Sequence, residues 1–105
     1  MHAQERLWVA HVDNATRCLY VECYDGEPES VEMPVRDIIL DAARLGSAGI
    51  LLAHNHLSDD PRPSKADCSA TRRLACASEA IDLAVLDHLI FAGNRCSSMR
   101  RLGLL

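Results

Sequence analysis

Lysine is nearly missing from this chain: there is one among 105 residues, and the formal charge is −4. Proteins that grip a phosphate backbone usually carry a cationic surplus, so direct binding of DNA or RNA is not expected of this domain. Paired cysteine is missing too. The five cysteines, at 18, 23, 68, 76 and 96, are odd in number and include no Cys-x-x-Cys. That argues against a disulfide framework and suits no familiar thiolate zinc knuckle. Reduced thiols are expected instead, most of them in the core as small hydrophobes, with the cytoplasm as the compartment. The longest apolar run, around Gly49 to Ala53, is far too short to cross a bilayer. A basic region followed by a hydrophobic stretch is absent from the N-terminus, so no signal peptide is expected. Aromatic residues number only four, yet 49% of the chain is hydrophobic, which excludes a disordered acidic tail. No repeat, linker or low-complexity segment interrupts the sequence. Residues 1–105 read as one small domain, without room for a second catalytic or nucleic-acid domain.

Charge is spread unevenly. Residues 1–33, 34–61 and 62–105 carry net charges of −5, −2 and +3. Arg72 with Arg73, and Arg100 with Arg101, would serve a phosphate backbone only if the fold gathered all four on one face. Arginines on the wet side of a helix are the ordinary alternative.

Residues 6–12 and 17–24 suit the two arms of a hairpin around the turn Asp13-Asn14-Ala15-Thr16. Asp25-Gly26 is a second turn, and 27–33 is a short strand or irregular. Pro34 fits the first turn of a helix to about Leu45, whose apolar residues Val35, Ile38, Ile39, Ala42 and Leu45 recur at helical spacing. Gly46 ends it. Ala48 to His54 is continuously apolar, as a buried central strand would be. A polar loop closed by Pro61 and Pro63 leads to Ser64, a good N-cap with Asp67 at the capping-box position. That helix runs to about Ala80, with Leu74, Ala77 and Ile81 as its apolar stripe and Cys68, Thr71 and Ser78 at the margins. Residues 83–92 and 95–99 are two further strands. The whole is a small α/β or α+β unit with a mixed sheet.

The chemistry is concentrated between His54 and Asp67. Two histidines at i and i+2 on extended backbone point the same way, so both imidazoles reach one ion. The loop then returns the chain and presents a carboxylate from the helix. Two nitrogens, one oxygen and an open fourth position describe a catalytic zinc site. A polar surface loop would account for a lone His-x-His pair, but not as readily for one followed by Pro-x-Pro-Ser and an acidic helix start.

These residues resemble the RadC family, a bacterial branch of the JAB/MPN (JAMM) metallopeptidase-like domains. Its members carry His-Asn-His-Pro-Ser-Gly-Asp-Pro-x-Pro-Ser-x-x-Asp, a threonine-containing helix, Leu-Asp-His and a terminal Ser-Phe-x-x-x-Gly. The counterparts here are His54 to Asp67, Thr71, Leu86-Asp87-His88, and Ser98-Met99 with Gly103. The resemblance runs from about Glu5 to the end and lacks the family's N-terminal helix-hairpin-helix region. It implies a JAMM, cytidine-deaminase-like fold, in which a mixed sheet is flanked by helices, with Zn(2+) held by His54, His56 and Asp67. It also implies an upstream glutamate acting as general base for a zinc-bound water in the hydrolysis of a peptide or isopeptide bond.

A Glu-x-x-x-Gly pattern on the second hairpin strand makes Glu22 the candidate base, with Glu27 and Glu32 as weaker substitutes. Ser58 matches the loop serine that donates to the oxyanion. Asp87 or His88 is placed to hold the free nitrogen of a ligand histidine, although a satisfied core histidine would also explain His88. His2 and His11 belong to no cluster. The loop departs from the family in having Leu57 for proline and Asp59 for glycine, and Val35-Arg36-Asp37 replaces Pro-Arg-Glu. Those changes keep open an alternative: a catalytically weak or inactive zinc-binding module acting through protein partners in a DNA-maintenance or DNA-repair context. Dimerisation through an uncovered face is also left open, and the substrate is not legible. Glu22 within hydrogen-bond reach of a metal-bound water favours the enzyme over the module, and Glu22 pointing into solvent would count against the hydrolase.

Overall fold

The computed structural model describes residues 4–25 and 32–105, and seven elements follow one another through them. Strands β1 (Arg6–Val12) and β2 (Cys18–Asp25) form the hairpin, followed by helix α1 (Val35–Leu45) and strand β3 (Gly49–Asn55). Helix α2 (Lys65–Glu79) and strands β4 (Ala84–Ala92) and β5 (Arg95–Ser98) complete the chain. The five strands make one sheet in the order β2-β1-β3-β4-β5. Only β3 and β4 run parallel, joined through α2; the other neighbours are antiparallel. This is the mixed α+β sheet expected. The short strand considered for residues 27–33 falls mostly outside the described residues, and Glu32 and Met33 are not in a strand.

Alternation decides which side of the sheet is covered. Leu7 and Val9 of β1, Ile50 and Leu52 of β3 and Val85 of β4 turn to one face and pack with Ile38 and Ala42 of α1 and Leu74 of α2. Burying side chains of this size stabilises the fold by about 1.5–3 kcal/mol each. Residues between them in the strands, among them Trp8, Ala10, Leu51, Ala53 and Leu89, stay half-buried, and Leu19, Val21 and Phe91 are exposed. Both helices therefore serve one face. Among the described residues no helix is long and apolar enough to cross a membrane.

Helix α1 starts after Pro34 and stops at Gly46, whose left-handed φ of 69° lets its N–H reach the carbonyls of Ala42 and Ala43. Helix α2 starts with a complete capping box. The Ser64 hydroxyl accepts from the Asp67 N–H, and the Asp67 carboxylate accepts from the Ser64 N–H. Its buried stripe differs from the expected one: Thr71, Leu74 and Ser78 face the core, Ala77 is half-buried and Ile81 is exposed. The two hydroxyls tolerate burial because they donate to carbonyls four residues back, at 2.7 Å to Asp67 and 2.7 Å to Leu74.

The cysteines also differ from expectation. All five are free, but none is in the core: Cys18, Cys23, Cys76 and Cys96 are exposed, and Cys68 is half-buried. Cys23 and Cys96 stand opposite Trp8 and Phe91, on the sheet face without helices, and Cys76 lies on the outer side of α2.

Candidate metal centre

The C-terminal end of β3 meets three other pieces of chain. Leu7 pairs with His54 in the antiparallel β1–β3 ladder, so the residues just ahead of Leu7 lie beside the end of β3. On the parallel side, β4 carries one extra residue at Leu86, since Ile50 pairs with Val85 but Leu51 with Asp87. That bulge turns Val85 and His88 to the same face, although three positions apart in a regular strand would oppose them. The N-terminal turn of α2 then brings Asp67 over the strand ends.

Glu5, His54, His56 and Asp67 converge there. His54 is 3% exposed, and its Nε2 lies 3.4 Å from Glu5 Oε1 and 3.7 Å from Asp67 Oδ1. His56 Nε2 lies 3.0 Å from Asp67 Oδ2. The two imidazoles stand edge to face, with centroids 4.8 Å apart. Ligand atoms of Glu5, His54 and His56 all fall within 4.8 Å of one another, so the group can hold a metal ion. Zinc bonds of about 2 Å would separate tetrahedral donors by roughly 3.3 Å, close to the spacings seen here.

Hydrogen-bond direction gives an independent reason for a cation. His56 Nδ1 lies 2.9 Å from the Asp60 carbonyl, which can only accept, so Nδ1 carries the proton. The neutral ring then turns its Nε2 lone pair toward a carboxylate oxygen. Either a proton on Nε2 or a metal ion must intervene.

The electrostatics agree. Burial pulls His56 toward neutrality, but the Asp60 carbonyl and the Asp67 carboxylate outweigh it and raise its pKa. Burial dominates at His54 and lowers its pKa. At Asp67 burial is opposed by the Ser64 N–H and the neighbouring histidines, which together hold the carboxyl below its usual range. Glu5 moves the other way, raised by burial against the pull of His56 and with the push of Asp67. Behind His54, the buried His88 places Nε2 3.0 Å from His54 Nδ1, and its other nitrogen lies 2.8 Å from the Thr71 hydroxyl. Burial and the nearby His54 lower the His88 pKa to about 4.

The family profile of the RadC-like JAB domain matches residues 1–104. The chain belongs to the RadC family. Among its relatives are UPF0758 proteins from Roseiflexus castenholzii and Chloroflexus aurantiacus, each 36% identical over 102 residues, or 96% of this chain and 44% of theirs. One from Bordetella avium is 41% identical over 70 residues, 67% of this chain and 31% of its own. The chain thus spans less than half the length of the RadC-family relatives it matches.

Several residues singled out in the sequence of this RadC-family domain lie elsewhere. Glu22 is not brought to the histidines. It pairs with Val9, which pairs with Leu52, so it sits two residues back from the level of His54 and on the far side of β1. Its surroundings are Tyr20, Asp41, Arg44 and Leu45. Glu5 occupies the place by His54 instead, and sequence reasoning passed it over. The available signal was periodicity: Glu5, just ahead of β1, continues the buried alternation of Leu7, Val9 and His11 at the end nearest His54. Glu32 borders a cavity of about 270 Å³ shared with Leu7, Met33, His54, Asp67 and Arg73, while Glu27 lies outside the described residues.

Ser58 is exposed, accepts the Asp60 N–H at 3.3 Å, and shares an open depression with His56. Leu57 and Asp59 are both exposed. Asp87 makes no hydrogen bond to His54 or His56; it accepts from the Ser98 hydroxyl and from the N–H groups of His88 and Arg100. His88 holds the free nitrogen of His54. The Arg100 guanidinium donates to the carbonyls of Val85 and Leu86. His11 is fully buried, and His2 lies outside the described residues.

Proposed function

We propose that this domain is a zinc-dependent hydrolase of peptide or isopeptide bonds in which His54, His56 and Asp67 hold the ion and Glu5 is the general base. The observation that supports this reading is the convergence of two imidazole Nε2 atoms and two carboxylates in a half-buried corner, 3.0–3.7 Å apart. Zinc bound there supplies Lewis acidity, polarising the scissile carbonyl and making water a better nucleophile at neutral pH. Asp67 suits a ligand, because the Ser64 N–H fixes its carboxylate. Glu5 lacks such an anchor among the described residues and has a raised pKa, which suits a group that takes a proton and returns it. In the reaction, Glu5 accepts a proton from the attacking water as the C–O bond forms. It delivers that proton to the amine nitrogen as the C–N bond breaks. Ser58, on the loop beside His56, is the candidate donor to the developing oxyanion. The base role considered for Glu22 passes to Glu5 in this reading.

The exposed Leu57 and Asp59, standing where the family has proline and glycine, favour a second reading: a zinc-binding module with weak or no activity that works through protein partners. One set of measurements separates the two. Zinc per chain, measured by elemental analysis after purification without added metal, is expected to be stoichiometric in wild type and Glu5→Gln and lost in His56→Ala and Asp67→Ala. A wild-type chain that takes up no zinc at any loading sinks both readings. Zinc-loaded wild type is then given mixed peptides and lysine-isopeptide conjugates, with products read by mass spectrometry. Cleavage that Glu5→Gln abolishes supports the hydrolase, and full loading without cleavage supports the module.

A further inference from the structure

Behind the metal-facing group runs a buried chain of hydrogen bonds with a fixed direction. It links His54 Nδ1 to His88 Nε2 at 3.0 Å, His88 Nδ1 to Thr71 Oγ1 at 2.8 Å, and Thr71 Oγ1 to the Asp67 carbonyl at 2.7 Å. Thr71, His88 and His54 are all buried, so water does not offer them alternative partners. The direction follows from the last member. A carbonyl oxygen only accepts, and a hydroxyl has a single hydrogen, so the Thr71 proton points at Asp67. The Thr71 oxygen must then accept, which places a proton on His88 Nδ1. A neutral His88 is left with a lone pair on Nε2, and that lone pair calls for a proton on His54 Nδ1. The lone pair of His54 is thereby driven to Nε2, the atom that faces Glu5 and Asp67.

We propose that Thr71 is a positioning residue that sets the tautomers of both buried histidines and so presents His54 Nε2 as a metal-binding lone pair. Only the consequence for metal binding rests on the zinc reading; the tautomers themselves are a property of the metal-free protein. Without the threonine hydroxyl the chain loses its sense of direction. His88 could carry its proton on either nitrogen, and the His54 tautomer with Nε2 blocked would be populated. A hydrogen bond behind a ligand histidine commonly matters by about 10–100-fold in metal affinity.

The test uses the full chain, free of metal and with ¹⁵N-labelled histidine, at a pH where the imidazoles are neutral. Long-range ¹H–¹⁵N spectra distinguish protonated from unprotonated ring nitrogens. In wild type, His54 and His88 are expected to be protonated at Nδ1 alone. Thr71→Val, close in shape but without the hydroxyl, is expected to show mixed or reversed tautomers at both rings. Thr71→Ser is expected to restore them. Zinc affinity, read by competition with a chromophoric chelator, is expected to fall about tenfold or more in Thr71→Val and to recover in Thr71→Ser.

A proton on Nε2 of either histidine in the wild type overturns the proposal, and so does a folded Thr71→Val with unchanged tautomers. If Thr71→Val does not fold, the wild-type tautomers and those of Thr71→Ser decide alone. A wild type with the expected tautomers but no affinity for zinc defeats the metal reading and leaves the tautomer assignment standing.

Discussion

Two histidines lie buried on the same face of the sheet, at opposite ends of the β1–β3 ladder, and they do different things. His11 pairs with Ile50 and is fully enclosed; His54 pairs with Leu7 and is 3% exposed. Burial lowers the pKa of both. His11 has one hydrogen-bonded neighbour, the Ser47 hydroxyl at 2.9 Å, and its Nε2 has no hydrogen-bond partner among the described residues. His54 has another imidazole behind it and two carboxylates in front. Burial by itself therefore yields a packed imidazole, and it takes neighbouring donors converging on the ring to make a cluster able to hold a metal ion. The strand supplies the position in both cases, and the neighbouring chain ends supply the chemistry in only one.

The contrast is open to attack at both ends. Its largest effect is expected from alanine at each position. His54→Ala should weaken zinc binding by at least about 100-fold, the upper range even for partners of metal ligands, whereas His11→Ala should leave affinity within about twofold. Elemental analysis and chelator competition read both, and equal losses would erase the distinction.

A middle-sized effect is expected from Ser47→Ala. It strips the remaining partner from a buried ring nitrogen and should destabilise the fold by about 1–3 kcal/mol. Urea unfolding measures the loss, and zinc stoichiometry should not change. A drop in zinc would tie the two ends together.

The smallest effect concerns pH. The His11 pKa is lowered by burial, against the pull of Asp41 and Glu22. Its contribution is thus complete above the unfolded value of about 6.5 and is lost as pH falls toward the folded value, at no more than about 1.4 kcal/mol per pH unit. His56 runs oppositely: its raised pKa stabilises the metal-free fold below about 6.5 and that gain fades as pH rises. In urea titrations of metal-free protein at pH 7, 6 and 5, His11→Gln should lose less stability on acidification than wild type. Parallel curves would mean that His11 does not titrate with unfolding.

What was legible in the sequence was whatever neighbours along the chain decide. The hairpin, the Pro34 start and Gly46 stop of α1, the Ser64–Asp67 capping box and the His54–His56 pair all depend on residues within a few positions of one another. Glu5 lies 49 residues before His54, and only the β1–β3 register joins them. Glu22 had the attractive local pattern, but that same register puts it beyond β1. The inward turn of His88 needs the extra residue at Leu86, which alternation alone does not announce. Thr71 and Ser78 looked marginal because hydroxyls are costly to bury unless paired, and their partners are carbonyls of their own helix. The cysteines were misplaced by their usual taste for interiors, which the helix-free sheet face and the outer side of α2 do not satisfy.

Asp67 stands at both ends of the path through His54. Its carboxylate faces one nitrogen of that ring, and its own carbonyl closes the chain of hydrogen bonds that leaves from the other. The circuit is a loop returning to the first turn of α2. A swivel of the imidazole would have to break the loop, whereas a tilt of the helix carries both of its ends together. The ring and the helix start are therefore tied at two points, through the hydrogen-bonded path on one side and the 3.7 Å carboxylate contact on the other, so a displacement of either strains both.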